Sequence, residues 1–229
     1  MREKKVLDYG CGLGGNYTFI AKKGAYFGVD ILETNITYAK NRYTKGRFYL
    51  TNGRKLPFRS DYFDEVHAYD VLEHVEDMGA VLYEINRVLK KGGKFFVVVP
   101  AHVSEKKMLK LKPSYFEDVG HVRIVDPDNL TSRLKKENYI RVFMKKIRGM
   151  EALVYVVLFW KNKDRRYMDH QTGSPSFSKI LVAFIWIFDS RLFITPLKYL
   201  FFVYMFTLPI GWVISQVFPK SIYMVFKKI

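Results

Sequence analysis

Val6-Leu7-Asp8-Tyr9-Gly10-Cys11-Gly12-Leu13-Gly14-Gly15-Asn16 is the stretch that decides the fold. Residues 6–8 read as a strand, and residues 16–23 read as a helix, so Gly10, Gly12 and Gly14 fall in the turn between them. Glycine has no Cβ, which lets the backbone turn tightly and lets a ligand approach it closely. The usual reason for such a turn is a nucleotide-type cofactor, although the G-x-G-x-G spacing differs from the G-x-G-x-x-G of dinucleotide folds. A second strand, residues 25–30, ends on Asp30, where a carboxylate can accept both hydroxyls of a ribose. The plainer alternative is a tight strand-to-helix turn with a surface acid.

Outward from this turn, short apolar runs alternate with amphipathic ones. The pattern predicts a helix over 33–42, strands over 47–51 and 63–70, and a helix over 80–91 stopped by Gly92-Gly93. Residues 94–100 (KFFVVVP) form a continuous apolar strand of the kind buried on both faces. Asp126-Pro127-Asp128 caps a helix through about Lys136, and a strand follows over 139–145. Strands alternating with helices imply a doubly wound α/β domain with a parallel sheet.

Composition narrows the function. The chain has 229 residues, 49% of them hydrophobic, which provides a sizeable core and excludes wholesale disorder. The single cysteine, Cys11, excludes an intrachain disulfide and a four-cysteine zinc site. Its place inside the glycine turn reads as packing, since nothing nearby marks it as activated. A formal net charge of +16 favours anionic partners such as phospholipid headgroups, nucleic acid or phosphorylated small molecules. The N-terminus passes from charge into a strand without an apolar stretch of signal length, so the expected location is cytoplasmic or peripheral on the inner face of the cell membrane.

VLDYGCGLGGN, then GVD, then LPFRSDYFDEVHAYDVLEHVED, then INRVLKKGGKFFVVVP, in this order, resemble a class I S-adenosylmethionine-dependent methyltransferase of the ubiquinone-biosynthesis-like branch. The resemblance covers roughly residues 4–148 and the last strand. It implies a Rossmann-like, seven-stranded, mostly parallel sheet whose antiparallel last strand, residues 221–229, inserts between two earlier ones. It implies S-adenosylmethionine as cofactor, with Asp8, Gly10, Gly12 and Gly14 lining the methionine end and Asp30 holding the ribose. Ile31 would pack on the adenine, and Ala68 and Tyr69 would meet the methionine portion. Asn52 stands where the family usually carries an aspartate that reads the adenine amino group. An Asn carbonyl still accepts that hydrogen bond. Only about four residues precede the first strand, where the family usually has one or two helices covering the site.

Two clusters carry candidate chemistry. Asp70, Glu73 and His74, if helical, share one face near the cofactor's methyl group and could bind either a divalent metal or the acceptor. We assign Asp70 and His74 to the acceptor and no metal, the bland reading being a structural turn. His121, within residues 115–123, is the candidate general base, because an imidazole titrates near working pH, and Arg123 is placed to pair with an anionic acceptor. His121 could also simply tie its loop to the sheet.

The chain changes character after Gly149. Residues 199–218 carry no charge, and 180–219 hold only Asp189, Arg191 and Lys198. By length the run could cross a membrane, but Pro209 and Gly211 interrupt it, and a last strand that rejoins the sheet excludes a single crossing. Flanking Lys and Arg, with Trp160, Trp186 and Trp212, suit an anionic lipid surface. The expected organisation is a core over 1–149, an apolar helical cap or membrane-docking insertion over 150–220, and a final core strand. The expected function is methyl transfer to a hydrophobic or lipid-linked small-molecule acceptor at a membrane surface. The alternatives are an RNA methyltransferase, suggested by the basic runs at 106–112 and 133–148, and a non-catalytic, membrane-attached cofactor-binding module.

Overall fold

The computed structural model describes residues 2–147 and 219–229. The predicted insertion therefore lies outside the described residues, apart from Pro219 and Lys220. In chain order the elements are β1 (Lys5–Tyr9), α1 (Tyr17–Ile20), β2 (Ala25–Asp30), α2 (Glu33–Arg42), β3 (Arg47–Leu50), β4 (Phe63–Tyr69), α3 (Met78–Val88), β5 (Leu89–Pro100), α4 (His102–Leu111), α5 (Tyr115–Val119), α6 (Pro127–Lys136), β6 (Tyr139–Ile147) and β7 (Ser221–Lys228).

The seven strands form one sheet in the order β3-β2-β1-β4-β5-β7-β6. β1 to β5 pair in parallel, and β7 runs antiparallel between β5 and β6. The doubly wound fold and the inserted last strand are as the sequence implies. Strand order reverses between β1 and β4, and in open α/β sheets ligands bind beyond the carboxyl ends of the strands at that point.

Alternation along the strands buries both faces. Leu7, Tyr9, Phe27 and Val29 pack in the larger core with Ile85 of α3 and Leu130 of α6. Their neighbours Val6 and Tyr26 join Ile20, Ile36 and Ala39 of α1 and α2 on the other face. This is why β1 and β2 read as unbroken apolar runs.

Three local readings are corrected. The helix predicted over 80–91 ends at Val88, and Leu89 already pairs with Phe63, so Gly92-Gly93 lie within the β5 register irregularity and do not terminate the helix. The pull of Leu89 into the core outweighs helix propensity. The first helix is a single turn followed by a 3-10 turn over Ala21–Lys23. Finally, 106–111 of the basic run lie in α4, and 115–119, expected as part of a loop, form α5.

Candidate active site

The glycine turn is closed by its own backbone and by β2. Gly10 and Cys11 both donate to the Val29 carbonyl at 2.9 Å, and Gly14 donates to the Cys11 carbonyl at 2.9 Å. Gly10, Gly12 and Gly14 have φ of +72°, +51° and +82°, in the left-handed region that favours glycine. A Cβ on Gly10 would strike Val71, and one on Gly14 would strike Tyr43. A Cβ on Gly12 would meet nothing within 4 Å. Gly12 thus turns a bare backbone toward open space, which is the cradle a cofactor needs.

Asp30 ties the turn to β2. Its Oδ2 accepts from the Gly12 amide at 2.8 Å, and its Oδ1 accepts from the Leu32 amide and the Asn35 side chain at 3.0 and 3.1 Å. The carboxylate therefore stands at the mouth of the turn already oriented. Asp8 is fully buried behind the turn, where Oδ2 accepts from the Tyr26 hydroxyl at 2.8 Å. Burial pushes its carboxyl up to about 7, against the pull of that hydrogen bond. Asp8 Oδ1 is buried with no partner among the described residues. An orphaned buried acceptor beside an open glycine cradle fits a cationic, amine-bearing ligand. Cys11 is buried against Tyr26 and Phe48, and burial pushes its thiol up, so it is a packing residue.

The remaining predicted cofactor residues are placed unequally. Ile31 and Leu32 are exposed just past Asp30, leaving an apolar surface for a flat ring. Ala68 is buried at the end of β4, and the Tyr69 hydroxyl contacts His67 Nδ1 at 2.5 Å. Asn52 lies in the loop after β3. Its Oδ1 accepts from the Arg54 and Lys55 amides at 3.0 and 2.9 Å, which closes its own loop.

The acid–histidine cluster differs from the predicted helix. Asp70 has φ of +54°, and residues 72–74 form a turn, so Asp70, Glu73 and His74 do not share a helical face. Asp70 is exposed, whereas Glu73 is fully buried, with neither carboxylate oxygen partnered among the described residues. Burial holds Glu73 well above the carboxylate range, and the charges of Asp70 and Glu105 add to this. The fold brings His121 to this turn. The His74 and His121 rings lie 4.8 Å apart and nearly perpendicular, and Val122 donates to the Glu73 carbonyl at 2.9 Å.

Both rings are oriented by their Nδ1 atoms. His74 Nδ1 lies 2.8 Å from the Gly120 carbonyl, which can only accept, so this nitrogen carries the hydrogen. His121 Nδ1 lies 2.6 Å from Glu105 Oε1. Ligand atoms of Glu73, His74 and His121 fall within 4.8 Å of one another, a spacing that one cation could bridge, and Asp70 is outside that set. Arg123 donates to the Glu76 carbonyl, which commits part of its guanidinium to the turn after β4. Glu105 escaped the sequence reading. Its one signal is that it is the single acid within the basic run 102–112.

The fold and glycine turn define a Rossmann-like domain for a nucleoside-bearing cofactor. Residues 7–97 match the family described as methyltransferase domain. A demethylmenaquinone methyltransferase of Chlorobaculum parvum is 32% identical over 120 residues, covering 52% of this chain and 50% of that protein. The sterol 24-C-methyltransferase ERG6B of Gibberella zeae is 38% identical over 101 residues, covering 41% and 27%. Among solved structures, an S-adenosylmethionine-dependent methyltransferase from Mesorhizobium loti superposes with a TM-score of 0.57 at 14% identity, covering 99% of this chain and 91% of that one. The chain spans about half or less of the length of these curated relatives. Residues 7–97 thus carry a methyltransferase domain of the S-adenosylmethionine-dependent kind, with S-adenosylmethionine as its cofactor. Among the described residues no helix is long and apolar enough to cross a membrane.

Proposed function

We propose that this chain transfers the methyl group of S-adenosylmethionine to an oxygen or carbon nucleophile of a lipophilic or lipid-linked acceptor at an anionic membrane surface. One observation carries the reading. Residue 147 ends β6 and residue 219 leads into β7, and the Lys220 backbone amide donates to the Ile147 carbonyl at 3.2 Å. The Ala101 amide in turn donates to the Lys220 carbonyl at 2.8 Å, beside the carboxyl end of β5. The intervening apolar chain thus leaves and re-enters at the carboxyl edge of the sheet, the edge that carries the glycine turn. An acceptor delivered from that segment arrives on the cofactor's side. The return to the same point also argues against an odd number of membrane crossings.

Relatives named for demethylmenaquinone and sterol methylation support a lipophilic acceptor. When bound, the cofactor supplies an electrophilic methyl group on a sulfonium. Gly10, Gly12 and Gly14 would admit its methionine end, Asp30 would accept from its ribose, and Asp8 would offer its orphaned oxygen toward its positive end. Ile31 would underlie the adenine, with Ala68 and Tyr69 beside the methionine portion. His121 would take the acceptor's proton as general base, with Asp70, His74 and Arg123 around the acceptor. In-line proximity supplies most of the acceleration.

The test is labelled methyl transfer from S-adenosylmethionine to a prenylated quinol and to a sterol, each carried in anionic vesicles, together with flotation of the protein on the same vesicles. Label in the organic phase and co-flotation are expected. Steeply salt-dependent RNA binding without flotation would favour the RNA alternative. Cofactor binding without turnover on either probe would favour the non-catalytic module.

A further inference from the structure

Glu105 is an acid in an improbable place. It lies on α4 among lysines, yet it is only 2% exposed. Burying a carboxylate costs free energy unless its partners compensate. Its Oε2 is buried without a partner among the described residues, so folding has not made full use of it. Its Oε1 lies 2.6 Å from His121 Nδ1. The His121 ring is further confined by Tyr115 and Phe116, at centroid distances of 6.1 and 5.7 Å, and by His74. The Phe116 carbonyl accepts from the His121 amide at 3.0 Å, which fixes the backbone that carries the ring.

We propose that Glu105 is a positioning residue that locks His121 in the tautomer carrying its hydrogen on Nδ1 and presents the Nε2 lone pair to the acceptor. This rests on the reading of His121 as the general base. An imidazole has one lone pair to offer, and the hydrogen bond at the other nitrogen decides which atom bears it. The proton leaving an acceptor hydroxyl goes to Nε2. The electron pair freed on oxygen takes the methyl group, and the S–C bonding pair stays on sulfur as a neutral thioether. The imidazolium formed is stabilised by the Glu105 charge through Nδ1–H, the arrangement by which a buried carboxylate serves the histidine of a catalytic triad. Neither residue type nor spacing announces this pair, because its members stand 16 positions apart with the rest of α4 and all of α5 between them.

The experiment uses ¹⁵N-labelled full-length protein with S-adenosylhomocysteine. Long-range proton–nitrogen spectra should show His121 protonated on Nδ1 and bare on Nε2. In Glu105→Gln the amide can donate to Nδ1, so the hydrogen should move to Nε2, and Glu105→Asp should largely restore the original signature. With the prenylated quinol in vesicles, Glu105→Gln should lower kcat by about a hundredfold, with little change in KM. Glu105→Asp should recover part of that loss. Unchanged affinity for S-adenosylhomocysteine certifies the fold, and should Glu105→Gln lose it, the intermediate kcat and weakened Nδ1–H signal of Glu105→Asp decide the matter.

A wild-type His121 already protonated on Nε2, or a Glu105→Gln protein with wild-type kcat, would overturn the proposal. So would activity abolished by a chelator and restored by magnesium or manganese, which would make His121 an ion-binding group. The tautomer spectra need no acceptor. Wild-type protein that methylates neither probe would therefore defeat the functional reading, while the spectra still decide whether Glu105 controls His121.

Discussion

Asp8 couples the cofactor turn to pH. Its native carboxyl, raised by burial to about 7, keeps its proton where an unfolded Asp has lost it, near pH 4. The folded state then binds more protons than the unfolded state, so stability falls as pH rises. The contribution is complete below about pH 4 and is lost as pH passes through about 7. Asp8→Asn keeps an acceptor for Tyr26 and removes the charge, so its stability in urea should decline less than wild type between pH 5 and pH 8. An equal decline in both would assign the effect elsewhere. Asp30 serves the turn differently, as an acceptor held at its mouth by the Gly12 and Leu32 amides. Asp30→Ala should weaken S-adenosylmethionine binding by about 1.5–3 kcal/mol, the worth of charged hydrogen bonds. Asp30→Asn, which keeps one acceptor oxygen, should lose less, and calorimetry reads both.

At the scale of elements, the glycines of one turn divide into two kinds. Gly14→Ala places a Cβ 2.7 Å from the Tyr43 ring, which stacks on Tyr17, and imposes φ of +82° on a side chain. It should cost about 1–3 kcal/mol of stability. Gly12→Ala meets no atom within 4 Å, so it should cost only about 1–2 kcal/mol for its left-handed backbone. Its larger effect should be on cofactor affinity, since the added methyl enters the cradle. Thermal unfolding and calorimetry on the two variants separate the roles. Asp126, which caps α6 by accepting from the Asp128 and Asn129 amides at 3.0 Å each, should cost about 1 kcal/mol on replacement by Ala.

The α6 cap and the β1–turn–β2 unit are legible because their signals are local: Asp-Pro-Asp, alternate glycines and a strand-ending acid. The end of α3 is not legible, since Leu89 leaves the helix to pair with Phe63 on β4. Nor is α4, where a run of lysines hides a helix whose one buried acid faces inward.

For the whole molecule, β7 is the keystone of the carboxyl-edge junction, hydrogen-bonded to β5 on one side and β6 on the other. Because Ile147 and Lys220 are already joined, replacing residues 150–218 by a short glycine–serine linker should leave the fold and cofactor affinity intact. It should abolish vesicle flotation and transfer to lipophilic probes. Loss of folding in that variant would show the segment to be a packed cap of the domain and would remove the membrane reading.

The sequence alone determined the strand–glycine–helix unit, the seven-stranded order of elements, the cofactor class and the acid at the end of β2. The first and last of these rest on backbone constraints or periodicities that act over a few residues, whereas the seven-stranded order and the cofactor class followed from the resemblance to the methyltransferase family. The tertiary structure alone decided that Glu73, His74, Glu105 and His121 meet and that Asp70 stays outside their ligand set. Those outcomes depend on how turns, helices and sheet pack together, and on the burial that sets the charge of each acid, and no local spacing encodes them.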